Sequence, residues 1–196
     1  MRVTKQVMAG NNAKIVDEAA RLFREKGIGA TSVADVMGAA GLTHGGFYRH
    51  FSSKDELVTA AINKASDDMA SDLENDISQH GAEQAIADFV RRYLSMQHVA
   101  NPGKGCPIAA LGAEVDRESK VHKEEIAYGA ERLVSMLVRG FEGKPDEKHE
   151  RAIGLLAVLV GTLVLARSTK NKRMMNKILT SGYQLAEFCI GRVEKS

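Results

Sequence analysis

The stretch from Thr31 to Leu57, TSVADVMGAAGLTHGGFYRHFSSKDEL, constrains the fold of this chain more than any other. Its pattern predicts a helix, a tight turn, a second short helix and the start of a longer one. Ser32 can cap the first helix, and Asp35, three residues later, can reach back to complete a capping box. Gly41 permits the left-handed backbone that ends this helix, and Thr43 is predicted to cap the next.

The second short helix is the most informative element of the stretch. Phe47 and Phe51 are four residues apart, so they share a face and are predicted to lock the helix onto its neighbours. At about 100° per residue, Gly45 and Arg49 lie on the opposite face. The residues on the flanks are Gly46, Tyr48 and His50.

The paired glycines need an explanation, because each costs roughly 1 kcal/mol relative to Ala inside a helix. Glycine is useful where another backbone must come close. A helix whose aromatic face packs on the protein, and whose opposite face carries small and polar residues, fits the major groove of DNA. The alternative is a surface helix with a flexible start. We favour DNA recognition, because the caps, the aromatic pair and the polar face agree.

The segment LTHGGFYRHFSSKDEL resembles the DNA-binding domain of the TetR family of bacterial one-component regulators. The aromatic-aromatic-x-His-Phe-x-x-Lys pattern from Phe47 to Lys54 carries most of the resemblance, which covers about a quarter of the chain. It implies an all-α fold of about nine helices. Residues 1–53 would form a three-helix helix-turn-helix head, and residues 54–196 a helical body that dimerises and binds an effector.

Position in the motif implies two kinds of DNA contact. Tyr48, His50 and Lys54 match phosphate-contacting positions. Arg49 and the Thr43–Gly46 segment, which contains His44 and Gly45, match groove-facing positions. Thr31 and Ser32 open the preceding helix and are further candidate phosphate contacts, although capping is the safer role for Ser32.

Charge is distributed unevenly along the chain. The whole chain carries +2, whereas residues 1–54 hold eight Lys or Arg and four acids, which leaves −2 for the remainder. A basic first quarter on a mildly acidic body suits a DNA-binding head. Residues 1–11 read as a frayed lead before a helix over Asn12–Lys26. Alternatively, Arg2 and Lys5 form a basic arm that touches phosphates.

Two long apolar helices are predicted at the end of the chain, over residues 147–167 and 172–193. We expect them to pair across a twofold axis in a homodimer, because one subunit cannot easily cover both apolar faces. The alternative is that both belong to an ordinary core. The uncharged run Ile153–Ala166 is 14 residues long, short of the roughly 20 that span a bilayer. We therefore expect no membrane partner.

The middle of the body offers candidates for effector sensing. A helix is predicted over Ala82–His98, a loop over Ala100–Gly105, and a new helix at Cys106-Pro107. Cys106 would sit at a helix start close to Lys104, which lowers a thiol pKa and suits a sensor of electrophiles or oxidants; the alternative is a small packed side chain. Candidates to line an effector pocket are Met69, Phe89, Tyr93, Met96, His98, His122, Tyr128 and Met136.

The sequence predicts a cytoplasmic, homodimeric DNA-binding regulator, a repressor, whose partners are a double-stranded operator and a small-molecule effector. No histidine spacing indicates a metal site, no motif indicates a cofactor, and no enzyme is expected. Two rival readings are a small helical enzyme with Cys106 as nucleophile and a protein-binding adaptor. Neither accounts for the Gly-Gly, Tyr-Arg-His and capped-Lys pattern.

Overall fold

The computed structural model describes residues 5–118 and 120–191. This part of the chain is helical and contains no strand, which confirms the predicted all-α class. Its α-helices are α1 Lys5–Lys26, α2 Val33–Ala39, α3 Lys54–His80, α4 Ala82–Tyr93, α5 Met96–Ala100, α6 Pro107–Glu118, α7 Lys120–Leu137, α8 Pro145–Arg167 and α9 Lys172–Ile190. Its 3₁₀ helices are His44–Arg49, called the Phe47 helix below, Pro102–Lys104 and Val138–Gly140.

The chain packs as two compact units. The first combines Met1–Asp67 with Pro102–Ala127, and the second combines Asp68–Asn101 with Tyr128–Ser196. Packing therefore places Pro102–Ala127, which the sequence assigned to the body, with the amino-terminal helices. The functional boundary after residue 53 stays a prediction.

In the first unit, α1, α2, the Phe47 helix and the first half of α3 enclose one apolar core, to which α6 and α7 also contribute. Its most buried large side chains are Ile15, Phe23, Met37, Phe47, Leu57, Ile62 and Leu111. Polar contacts fasten the later segment to the earlier helices. Arg24 Nη2 donates to the Gly103 carbonyl at 2.5 Å, and the Gly29 N–H donates to Glu114 Oε1 at 2.8 Å.

Two helix boundaries near the amino terminus differ from the prediction. Helix α1 already begins at Lys5, so the frayed lead is wrong for residues 5–11, while Arg2 lies outside the described residues. The apolar pattern from Val58 to Leu73 predicts that α3 ends at about Asp76, but the helix runs to His80, which makes it 27 residues and about 40 Å long.

The predicted helix over Ala82–His98 is broken into two. Helix α4 ends at Tyr93 and α5 begins at Met96. Ser95 causes the break, because its side chain caps α5 by accepting the His98 N–H at 3.2 Å. A serine that bonds the following backbone competes with the continuation of a helix. The 3₁₀ helix Val138–Gly140 follows α7 directly.

Helices α8 and α9 form an antiparallel hairpin in the second unit. The inner face of α8 buries Leu155, Leu159 and Leu163. The helices approach closely at Gly182, where a Cβ atom would overlap the Thr162 side chain. By length and composition α8 could cross a membrane, but this is weak evidence because core helices of soluble proteins meet the same criteria.

Replacement of Gly182 by Ala is expected to destabilise the second unit by about 1–3 kcal/mol, because the added methyl group overpacks the contact with Thr162. Gly154→Ala on α8 is the matched control, since nothing lies within 4 Å of a Cβ there. That change is expected to be neutral or to stabilise by about 0.5–1 kcal/mol. Urea unfolding of both variants measures the difference, and equal stability would contradict the close helix crossing.

Candidate DNA-binding interface

Helix α2 is capped as the sequence predicts. The Asp35 N–H donates to Ser32 Oγ at 3.1 Å, and the Ser32 N–H donates to Asp35 Oδ2 at 2.9 Å. Hydrogen bonds from the Ser32 hydroxyl and then from its N–H hold the pKa of the Asp35 carboxyl below its usual value. Gly41 takes φ +70° after the helix, as predicted.

The Phe47 helix is anchored by the predicted aromatic pair. Phe47 and Phe51 are 1% and 6% exposed, and their rings stack with centroids 5.8 Å apart. The element is a six-residue 3₁₀ helix, tighter than the α-helix assumed from the spacing. Thr43 stands at its cap position but its side chain makes no capping hydrogen bond, so that prediction is wrong. The first turn is closed instead by the backbone, with the Gly46 N–H donating to the Thr43 carbonyl at 2.9 Å.

The opposite face of the Phe47 helix is open to solvent. Tyr48 is 74% exposed, and its ring meets the Phe47 ring edge-on with centroids 5.2 Å apart. The burial pattern agrees with the predicted faces: Thr43, His44, Gly45 and Arg49 are exposed, whereas Gly46 and His50 are half-buried. Thr31 is different, because it is fully buried and donates its hydroxyl to the Gly27 carbonyl at 2.7 Å. It cannot serve as the phosphate contact suggested for it.

Packing does not explain the two glycines. A Cβ atom at Gly45 would meet nothing within 4 Å. At Gly46 it would meet Met37 Cε and Thr43 Oγ1 at 3.7 Å, which is ordinary van der Waals contact. Neither residue has a positive φ. Folding therefore does not require glycine at either position. The absence of side chains there leaves space for a binding partner to approach the backbone.

Lys54 stands in the first turn of α3, as predicted, and has a hydrogen-bond partner within the protein. Lys54 Nζ donates to the Ile28 carbonyl at 2.6 Å, so it ties α3 to the loop after α1. Its ammonium has three donors, and two are left for a phosphate. The spacing of Ser53 and Glu56 predicts a second capping box at the start of α3. The Ser53 hydroxyl does accept the Glu56 N–H at 3.1 Å, but the Glu56 carboxylate accepts from the N–H and hydroxyl of Ser52, not from Ser53.

The candidate effector residues are divided between the two units. Tyr93 and His98 meet at the break between α4 and α5, where His98 Nδ1 lies 2.7 Å from the Tyr93 carbonyl and the two rings pack edge to face. Met96, on α5, is 39% exposed and Tyr128 is 63% exposed. His122 belongs to the first unit, where it is 2% exposed and its Nε2 lies 3.3 Å from the Asp55 carbonyl.

Cys106 precedes Pro107 at the start of α6, as predicted, but its side chain is fully buried. Burial opposes a reactive thiol, because an electrophile needs access to the sulfur. Within residues 5–118 and 120–191, no three His, Cys, Asp or Glu side chains are grouped so that they could hold a metal ion.

Comparison with known proteins places this geometry in a family. Residues 15–61 match the family model described as bacterial regulatory proteins, tetR family. An uncharacterized HTH-type transcriptional regulator of Mycobacterium tuberculosis is 29% identical over 171 residues, 82% of this chain and 86% of the relative. The HTH-type transcriptional repressor KstR2 of Rhodococcus jostii is 39% identical over 61 residues, 31% of this chain and 30% of KstR2.

A solved TetR-family regulator from Cytophaga hutchinsonii shares the fold, with a TM-score of 0.77 at 21% identity over 100% of both chains. The protein carries a TetR-family DNA-binding domain over residues 15–61. It is accordingly a DNA-binding transcriptional regulator with a helix-turn-helix head. The matched residues 15–61 contain α2, the Phe47 helix and the start of α3.

Sequence reasoning missed the contacts that support this TetR-family head from a distance. Glu114 is 85 residues from the Gly29 N–H that it accepts, and Lys54 is 26 residues from its carbonyl partner Ile28. No local pattern signals such pairs. Covariation between distant positions is the kind of signal that could have found them.

Replacement of Asp35 by Asn is expected to destabilise the head at neutral pH. The pKa of Asp35 is lower in the folded state than its ordinary value of 3.8. The carboxylate therefore stabilises the fold fully at pH values above 3.8, and this contribution is lost as the pH falls through the lower pKa of the folded state. The difference in the free energy of unfolding between wild type and variant should therefore disappear in strong acid. Urea unfolding as a function of pH measures it, with Ser32→Ala as the partner in a double-mutant cycle. A gap independent of pH would contradict the capping role.

Proposed function

We propose that this protein is a cytoplasmic homodimeric repressor that binds a near-palindromic operator and leaves it when a small molecule binds the carboxyl-terminal domain. The Phe47 helix carries the proposal. Its aromatic face is buried, so its small and polar face is fixed outward in a shape that the major groove admits.

The exposed side chains divide into two roles. Tyr48 and His50, with the remaining donors of Lys54, position the head on phosphates. Arg49 reads base edges, and its guanidinium suits the paired acceptors of guanine; Thr43 and His44 assist. Two heads would occupy successive major grooves, with half-site centres about 34–36 Å apart or a multiple of that.

Apolar side chains on the outside of the α8–α9 hairpin support the homodimer. On α9, Met174, Leu185 and Phe188 are 50%, 57% and 70% exposed at helical spacing. On α8, Ile153 and Leu165 are 49% and 58% exposed. Large apolar side chains grouped in this way mark an interaction surface, and a twofold pairing of two hairpins would bury them as a four-helix bundle.

The second unit is the proposed effector domain. Tyr93, Met96 and His98 supply an aromatic ring, a pliable side chain and a polar tip around the break between α4 and α5. An effector releases DNA only if it binds the released state more tightly than the DNA-bound state. A response through Cys106 would require a change of conformation that exposes its thiol.

Arg49→Ala is expected to weaken operator binding by about 1–3 kcal/mol and to relax specificity at the base pairs that Arg49 contacts. Tyr48→Phe is the comparison, because loss of a phosphate contact weakens operator and random DNA by the same factor. Fluorescence anisotropy with both duplexes measures the two variants. An equal loss on both duplexes for Arg49→Ala would contradict base reading by Arg49.

Gly45→Ala separates contact with DNA from folding. The head has room for the methyl group, so unfolding stability should be unchanged or slightly higher. Operator affinity should fall, because the methyl group keeps the DNA away from the backbone. Urea unfolding and anisotropy test the two halves of this prediction. Unchanged affinity would mean that DNA does not approach Gly45.

Phe188→Glu is expected to convert dimers into monomers, because it buries a charge in the proposed interface. Asn176→Glu adds the same charge to an exposed site of α9 that is turned away from the apolar stripe, and it should leave the dimer intact. Sedimentation equilibrium distinguishes the two. If both variants remain dimeric, the interface lies elsewhere.

A further inference from the structure

One peptide group of the first unit lies between two charged side chains. The Ile28 carbonyl accepts a hydrogen bond from Lys54 Nζ at 2.6 Å. The Gly29 N–H, which belongs to the same peptide group, donates to Glu114 Oε1 at 2.8 Å. The C=O and N–H of a trans peptide point in opposite directions, so the ammonium and the carboxylate polarise the group in the same sense and strengthen each other's hydrogen bond. This arrangement is termed the Lys54–peptide–Glu114 bridge below.

Buried side chains fix the three parts of the bridge. The Ile28 side chain is buried beside the peptide group, and Leu57 is buried in the first turn of α3. On α6, Leu111 and Val115 are buried on either side of Glu114 in the sequence. All four side chains belong to one core. Packing therefore determines the positions of the elements that carry the two charges.

The end of α1 leaves space for the Glu114 carboxylate. A Cβ atom at Gly27 would lie 3.0 Å from Glu114 Oε2, closer than an ordinary van der Waals contact. Gly27 also takes φ +89°, which a residue with a side chain rarely adopts. Glycine at this position therefore serves both the turn that ends α1 and the approach of the carboxylate.

A lysine ammonium binds a phosphate better if it is held in place before DNA arrives. The long stem of lysine is flexible, and ordering it on a phosphate costs conformational entropy. Lys54 also stands in the first turn of α3, where the helix dipole opposes a cation. The hydrogen bond to the peptide group offsets both costs, and two donors of the ammonium remain for a phosphate.

We propose that Glu114 is a positioning residue for DNA binding, which holds the Ile28–Gly29 peptide group and thereby fixes the Lys54 ammonium for contact with a phosphate. The proposal rests on the proposed function, which assigns Lys54 to a phosphate. The charge of Glu114 would itself repel a phosphate, so its favourable effect passes through the peptide group and the lysine. Glu114 lies outside residues 15–61, which match the family model, so a later segment of the chain contributes to phosphate binding.

Glu114→Gln and Glu114→Ala are a matched pair of variants, because both remove the charge and only glutamine keeps an oxygen that can accept the Gly29 N–H. Fluorescence anisotropy with a random-sequence duplex measures DNA binding by the full-length variants, and urea unfolding shows that each is folded. Glu114→Ala is expected to bind about 3- to 10-fold more weakly than Glu114→Gln. Equal affinities would overturn the proposal, since the hydrogen bond would then have no effect on binding.

A double-mutant cycle separates positioning of Lys54 from general support of the head. In a Lys54→Met background, Glu114→Ala should cause no further loss of affinity, whereas in an Arg49→Ala background it should cause the full loss. A full loss in the Lys54→Met background would overturn the proposal, because Glu114 would then act through another group. Wild-type affinity of Lys54→Met alone, or no duplex binding by the wild type, would instead contradict the proposed function, and this proposal would fall with it.

Discussion

The stacking of Phe47 on Phe51 within the core of the first unit is the interaction on which the DNA-binding surface depends. A helix of six residues has no stability of its own, since nucleation of a helix is unfavourable and the element is too short to recover that cost. Burial of the two rings fixes the helix on its neighbours and determines which residues face outward. The exposed set of Thr43, His44, Gly45, Tyr48 and Arg49 follows from that orientation.

The first unit is not the amino-terminal head alone. Three long-range hydrogen bonds join Pro102–Ala127 to the elements around the Phe47 helix: Arg24 with Gly103, Gly29 with Glu114, and Asp55 with His122. Two of these contacts meet the end of α1 and the loop after it, and the third meets the first turn of α3. A displacement of the later segment would therefore act on the end of α1 and on the first turn of α3 through these hydrogen bonds.

Much of the recognition motif could be predicted because its determinants are local. The Ser32–Asp35 box, the turn at Gly41 and the Phe47–Phe51 face each depend on residues within four positions of one another, where helical geometry determines the outcome. Local reasoning was less accurate where two local options compete. Ser95 caps α5, so α4 does not continue through it. The Glu56 carboxylate accepts a hydrogen bond from Ser52 and not from Ser53.

Non-local features could not be read from the chain. The partner of Lys54 is the Ile28 carbonyl, 26 residues away, and the hydrogen bonds that join Pro102–Ala127 to the head connect residues 67 to 85 positions apart. Cys106 shows the same limit, because its position at a helix start was predictable but its burial was not.

Selection of bound sequences from random duplex DNA, followed by guanine-N7 methylation interference, tests the central claim most directly, because N7 lies in the major groove. The account predicts a near-palindrome with interfering guanines in two half-sites whose centres are about 34–36 Å apart or a multiple of that. Failure to enrich any sequence, or an enriched site whose N7 methylation has no effect, would contradict recognition of the major groove by the Phe47 helix.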